Sequence, residues 1–155
     1  MTAIVEKELV HAPLASANSF LETFFATHAA PKGEGARILL HAGEAAHSVI
    51  VTLQPAHRPE DMTPRYRMHW EAENGGPYPA YDGELSIGAD EDYDAFWLVL
   101  DGAYAPPGGP AGKVFDVVIG RPVAAASAHG LLTEIRAEIE VLFSAQERAK
   151  LARLV

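Results

Sequence analysis

The chain of 155 residues contains no cysteine and few basic side chains, with 12 lysine and arginine residues against 21 aspartate and glutamate residues. The absence of cysteine excludes disulfide bonds, thiolate zinc sites and cysteine nucleophiles. No apolar run approaches the roughly 18 residues that cross a bilayer, and the first residues lack the basic and apolar segments of a signal peptide. These absences predict a soluble, cytoplasmic protein without membrane insertion.

Negative charge is concentrated before residue 111. Residues 111–155 hold six basic and five acidic side chains, which leaves six basic and 16 acidic side chains in residues 1–110. A negative field of this kind repels a phosphate backbone and lowers association rates with nucleic acids. We therefore expect neither a nucleic acid nor an anionic membrane as a partner.

The first part of the chain predicts a strand followed by a helix. Residues 3–10 are rich in β-forming side chains and precede a turn signal at Ala12-Pro13. From residue 14 the apolar side chains recur every three or four residues, which is typical of an amphipathic helix. The helix is expected to end by Pro31, and its apolar positions are Leu14, Ala17, Phe20, Leu21, Phe24 and Phe25.

Short strands separated by turn residues follow Gly35. Residues 36–42 and 46–53 flank Gly43-Glu44 and predict a hairpin. Residues 63–73 alternate between apolar or aromatic side chains and charged or polar ones. One face of this strand is therefore expected to be dry, that is, buried away from water. The dry face consists of Tyr66, Met68 and Trp70, and the opposite face consists of Arg65, Arg67, His69 and Glu71.

Two more strands complete the predicted sheet. Residues 81–88 place Tyr81, Gly83, Leu85 and Ile87 on one side. Residues 95–104 are apolar on both faces until Asp101, which predicts a central strand of the sheet. We expect Phe96, Leu98 and Leu100 to face the concave side of the sheet, and Trp97 and Val99 to face away from it.

A long helical segment ends the chain. It follows the loop PPGGPAG and is expected to begin near Pro110 or Ala111. A kink or brief break is predicted at Gly120-Arg121-Pro122, because proline removes a backbone donor and clashes with the preceding turn. The apolar period then continues to about Phe143, and the polar tail to Val155 is compatible with further helix.

The order of strand, helix, about six antiparallel strands and long C-terminal helix is the helix-grip arrangement. The chain resembles the START-like, polyketide-cyclase and pollen-allergen (SRPBCC) superfamily, and within it uncharacterised bacterial members with a Tyr-x-Pro-Pro-x-Gly turn. The residues that carry the resemblance are Arg67, His69, Trp70, Pro79, Tyr81, Gly83, Gly102, Tyr104, Pro106, Pro107, Gly109, Gly112 and Asp116.

The resemblance implies one START-like domain over residues 1–155, of the α+β class. The implied helix-grip fold is a curved antiparallel β-sheet wrapped around a long C-terminal α-helix, with a largely apolar pocket between them. The implied function is to bind or carry a small hydrophobic ligand, as a monomer or homodimer. The expected ligand-binding residues are Tyr66, Met68, Trp70, Tyr81, Leu85, Ile87, Phe96, Leu98, Leu100, Tyr104, Phe115 and His129.

Two other functions remain open at this point. One is a cyclase-like or lyase-like enzyme that acts on a polyketide-like or aromatic substrate, with His129 or Asp116 as its acid or base. His129 lies near Leu132 and is the histidine whose position in the helix favours a place facing the cavity. The other is a protein-interaction domain with a filled core, which an exposed cluster of apolar side chains would favour.

We predict neither a metal nor another cofactor. Asp90, Asp92 and Asp94 have the spacing that opens a calcium loop, but Ala95 replaces the required glycine and a strand begins at once. His41 and His47 would approach each other across a hairpin, but no third ligand accompanies them. The zinc-ligand and heme-ligand patterns of a few enzymatic relatives are also absent from the sequence.

Overall fold

The computed structural model describes residues 2–42, 45–56, 58–74, 78–105 and 121–154. The turn residues Pro106, Pro107, Gly109 and Gly112 and the predicted site residues Phe115 and Asp116 lie outside the described residues. The described elements are β1 (Thr2–Val10), a 3-10 turn (Leu14–Ser16), α1 (Ala17–Thr27), β2 (Ala36–Ala42), β3 (Ala45–Pro55), β4 (Arg65–Ala72), β5 (Ala80–Ala89), β6 (Phe96–Ala105) and α2 (Arg121–Arg153).

The strands form a six-stranded sheet in the order β1-β6-β5-β4-β3-β2, in which every neighbouring pair is antiparallel. The first strand therefore pairs with the last, with Val5 opposite Asp101. Strand β6 has a partner on each side, which confirms the prediction of a central strand. The sheet curls around the long C-terminal helix, and this confirms the predicted α+β helix-grip fold.

Two glycines allow β5 and β6 to approach closely on the concave side. Gly83 and Gly102 are paired directly across the two strands. A Cβ atom on Gly83 would lie 2.6 Å from the carbonyl oxygen of Asp101, and one on Gly102 would lie 2.5 Å from the Cα of Gly83. Neither position has room for a side chain, and paired glycines of this kind permit sharp local curvature in a sheet.

Helix α2 runs without a break from Arg121 to Arg153. Pro122 lies in the first described turn of this helix. The predicted kink or break at Gly120-Arg121-Pro122 lies partly outside the described residues and stays a prediction, whereas the continuation of the helix through the polar tail is confirmed. The side chains that α2 buries are Ala124, Ser127, Ala128, Leu131, Leu132, Ile135 and Ile139.

Helix α2 also joins the two outer strands of the sheet. Arg136 pairs with Glu8 of β1, and the backbone N–H of His11 donates to Glu140 over 3.0 Å. On the opposite side, a Cβ atom on Gly130 would lie 3.3 Å from the carbonyl oxygen of His41 in β2. No helix in the described ranges has both the length and the apolar composition that a membrane span requires.

Candidate functional site

The concave face of the sheet is lined by the side chains that the alternation along each strand predicts for it. On β4, Tyr66, Met68 and Trp70 are buried, whereas Arg65, Arg67 and His69 lie on the outer face. The two arginines form ion pairs with acidic residues of β5, Arg65 with Glu84 at 2.8 Å and Arg67 with Asp82 at 3.3 Å. The predicted orientation of this strand is confirmed.

Strands β5 and β6 extend the same wall, and their predicted orientation is also confirmed. Their inward side chains are buried, whereas Trp97 and Val99 are only half-buried on the outer side. The wall is one continuous apolar cluster, which also includes residues of α1 and α2. Its members from β5 and β6 are Tyr81, Leu85, Ile87, Phe96, Leu98, Leu100 and Tyr104.

His129 does not join this wall. Its side chain is 57% exposed, and its Nδ1 lies 3.7 Å from a carboxylate oxygen of Glu6 on β1. The expectation that His129 faces the interior is therefore wrong. The physical reason is the helical period, because Ala124, Ala128 and Leu132 define the buried face of α2 and position 129 points to the side of it.

Trp70 and Tyr81 form an aromatic stack at the centre of the wall. Their ring centroids are 4.4 Å apart, and the angle between the ring planes is 12°. The Tyr81 hydroxyl donates to the carbonyl oxygen of Ile4 over 3.4 Å. The indole N–H of Trp70 is buried, and it has no hydrogen-bond acceptor among the described residues.

A second polar contact joins the sheet side of the interior to α2. The hydroxyls of Tyr78 and Ser127 are hydrogen-bonded to each other, and both side chains are buried. Ser127 donates its own hydroxyl hydrogen to the carbonyl oxygen of Val123 over 2.7 Å. The Tyr78 hydroxyl is therefore the donor to Ser127, because a serine has only one hydroxyl hydrogen.

The phenols of this interior are held in their neutral form. Burial raises the pKa of Tyr66 and of Tyr78 above the ordinary value. The pKa of Tyr81 is also raised, first by burial and then by the negative charges of Asp101 and Asp82. The described part of the interior therefore presents neutral hydroxyl groups and one indole N–H against apolar surface.

The wall side chains pack against one another in the structure. Recesses on the surface of the described residues are lined by side chains outside this wall. One lies on the outer face of the sheet, between Arg67, Asp82 and Asp101. Another is an apolar recess between the end of α1 and the middle of α2, and its lining includes Val141 and Leu142.

A separate group of side chains with metal-ligating chemistry lies beside that apolar recess. His28, Glu134 and Glu138 each place one ligand atom within 4.8 Å of the others. Burial raises the pKa of the Glu134 carboxyl, an effect that the positive charge of His28 opposes. Sequence spacing did not reveal this group, because His28 and Glu138 are 110 positions apart. The only local signal is the i, i+4 spacing of the two glutamates.

No protein-family model and no curated protein matches the chain. Among solved structures, TTHA0849 from Thermus thermophilus is similar at 13% identity and a TM-score of 0.49, over 91% of this chain and 99% of that chain. DynU16, a putative protein in the dynemicin biosynthetic locus, is similar at 18% identity and a TM-score of 0.42, over 89% of this chain and 45% of that chain.

A protein from Nitrosospira multiformis is similar at 15% identity and a TM-score of 0.35, over 83% of this chain and 96% of that chain. Likenesses of this size leave the function to be argued from the side chains of this chain.

Proposed function

We propose that the interior between the concave face of the sheet and α2 binds a small, largely apolar molecule that carries a hydrogen-bond acceptor. The observation that carries this proposal is the indole N–H of Trp70, which is buried without an acceptor among the described residues. An unsatisfied buried donor costs about 1–3 kcal/mol. A carbonyl or ether oxygen of a ligand would remove that cost.

The surroundings of Trp70 favour an apolar ligand. Met68, Leu85, Leu98 and Leu100 are fully buried in the same cluster, and apolar surface removed from water contributes about 25 cal/mol per Å². The hydroxyl of Tyr78 supplies a further neutral polar group at the α2 side of the interior. Such a combination of apolar surface and a few polar groups is typical of small-molecule sites.

Native mass spectrometry of freshly purified protein tests the proposal directly, and an apolar fluorescent dye provides a quantitative probe. Trp70→Phe removes the indole N–H and keeps an aromatic ring. For a dye with a carbonyl acceptor, the loss of one hydrogen bond of about 1–2 kcal/mol weakens binding roughly 5- to 30-fold. Trp97→Phe is the matched control, because Trp97 lies on the outer side of β6.

The proposal predicts that Trp97→Phe binds the dye as the original protein does. Equal affinities of the original protein, Trp70→Phe and Trp97→Phe would show that the dye does not use the indole N–H. A complete absence of bound ligand and of dye binding would remove the carrier function.

The second candidate function is a protein-interaction domain with a filled core. The observation that favours it is an exposed apolar cluster, in which Met62 is 97% exposed and Tyr93 is 64% exposed. Both side chains line a recess together with Leu14 and Pro64. If the dye binds this surface, the double variant Met62→Ser and Tyr93→Ser loses dye binding, whereas Trp70→Phe retains it.

A further inference from the structure

The contact between the end of α1 and the middle of α2 brings one imidazole and two carboxylates together. The Nε2 atom of His28 lies 2.8 and 2.9 Å from the two carboxylate oxygens of Glu138. The ligand atoms of His28, Glu134 and Glu138 all lie within 4.8 Å of one another. All three side chains are half-buried, so the group is partly shielded from water yet open to a small ion.

The two glutamates are held by a rigid part of α2. They are one helical turn apart, and each is followed by a fully buried isoleucine, Ile135 and Ile139. These isoleucines fix the rotation of the helix against the core. Glu134 and Glu138 therefore project from neighbouring positions on the same face of α2.

His28 is also held in place, although it lies just after the end of α1. Its backbone N–H donates to the carbonyl oxygen of Phe24 over 3.2 Å, and its carbonyl oxygen accepts from the N–H of Arg37 over 2.9 Å. The imidazole packs against the ring of Phe24, with centroids 4.6 Å apart. The backbone and ring contacts together orient the imidazole toward α2.

Glu134 and Glu138 place two carboxylates next to each other on α2. Among the described residues, no lysine or arginine lies within ion-pair distance of Glu134 or Glu138. Two carboxylates one turn apart on a helix repel each other. A divalent cation bound between the three side chains would offset this repulsion.

We propose that His28, Glu134 and Glu138 bind a divalent first-row transition-metal ion. Mixed imidazole and carboxylate ligands suit Zn²⁺, Co²⁺, Fe²⁺ or Mn²⁺ better than Ca²⁺ or Mg²⁺, which prefer oxygen ligands alone. Bonds of about 2.0–2.2 Å place the ligand atoms roughly 3.3 Å from one another. The His28 and Glu138 atoms, now 2.8 Å apart, would open slightly, and rotation of the Glu134 side chain would bring its carboxylate to the same distance.

Three protein ligands leave at least one coordination position open, as in sites where a metal also holds water or a small molecule. Glu138 forms part of the apolar recess that is also lined by Thr27, Ala137, Val141 and Leu142. A small molecule at the open position would therefore lie against the apolar side chains of α2. The site is separate from the interior that Trp70 lines, and its test is independent of the carrier function.

The test uses the full chain after removal of metals with a chelator. Titration with Co²⁺ is followed by visible absorption, and titration with Zn²⁺ by calorimetry and by the melting temperature. We expect saturable binding of one ion per chain and a rise in melting temperature, because an ion that binds only the folded state stabilises it. His28→Ala, Glu134→Gln and Glu138→Gln should each weaken binding at least about tenfold.

Two variants control for unspecific binding to α2. His129→Ala removes an exposed imidazole, and Glu140→Gln removes a carboxylate that accepts a hydrogen bond from His11. Both should bind the ion as the original protein does. The proposal is overturned if neither ion binds saturably, or if Glu134→Gln binds as tightly as the original protein. It is also overturned if His129→Ala weakens binding as much as Glu134→Gln does.

Discussion

Trp70 and Tyr81 face each other across β4 and β5, and their rings lie nearly parallel at 4.4 Å between centroids. The Tyr81 ring also fills the space beside Gly83 and Gly102, so it packs against sheet backbone as well as against Trp70. We predict that Tyr81→Ala lowers the free energy of unfolding by about 3–5 kcal/mol, the usual cost of removing a buried aromatic side chain.

Urea unfolding measures this loss. The control is Tyr93→Ala, because Tyr93 is 64% exposed, and its free energy of unfolding should change by no more than about 0.5 kcal/mol. Equal losses in the two variants would contradict a central role for the Tyr81 stack.

The close approach of Gly83 and Gly102 predicts that a side chain added at position 102 destabilises the protein. Gly102→Ala would place a Cβ atom 2.5 Å from the carbonyl oxygen of Asp82, so the backbone must shift. We expect a loss of about 1–3 kcal/mol in the free energy of unfolding. Gly88→Ala is the control within the neighbouring strand, because its nearest contact would be at 3.6 Å. Thermal unfolding that ranks Gly88→Ala as the more harmful change would refute this account.

Leu98 and Val99 distinguish a packed interior from an open pocket. Leu98 is fully buried on the concave face of β6, whereas Val99 is half-buried on the outer face. In a packed interior, Leu98→Trp lowers the free energy of unfolding by about 1–3 kcal/mol, and Val99→Trp costs less. Chemical denaturation is measured beside dye binding. A stable Leu98→Trp that has lost dye binding would show that the interior has room for a ligand.

The hydrogen bonds to the Glu73 carboxylate predict that the folded protein loses stability in acid. Its carboxylate accepts hydrogen bonds from Arg37 at 2.6 Å and from Ser48 at 2.9 Å, and these contacts lower its pKa from the ordinary value. Because the pKa is lower in the folded state, the stabilisation is present above the ordinary pKa near 4.5 and disappears as the pH falls through the folded value.

Melting temperatures of Glu73→Gln and the original protein between pH 3 and pH 7 check this direction. The difference between them should be larger at pH 7 and should shrink toward pH 3. A difference that grows as the pH falls would mean that the sign is wrong.

The sheet was predictable from local sequence, because strand alternation depends only on neighbouring residues. Tyr66, Met68 and Trp70 share a face for that reason alone. The sequence predicts a cavity-facing His129 from its nearness to Leu132, and this prediction is wrong because position 129 lies beside the buried face of α2. Small residues also mark that face, and Ala124 and Ala128 would have placed His129 beside it.

The group of His28, Glu134 and Glu138 lay beyond sequence reasoning for a different reason. The two glutamates form a local pattern, but such pairs are common on exposed helices. The imidazole joins them only because α1 packs against α2, as the edge-to-face contact of Phe20 and Phe143 at 6.4 Å shows. Contacts of this kind depend on how the elements pack in three dimensions, which residue spacing does not specify.

The contacts of α2 with both outer strands have a consequence for synthesis of the protein. All six strands leave the ribosome before Arg121 does, so a sheet formed by the nascent chain has its wall of aromatic and aliphatic side chains facing water. Ile135 and Ile139, which cover part of this wall, are synthesised after all six strands. We therefore expect the nascent sheet to bind chaperones that recognise apolar surface until α2 docks and covers the wall.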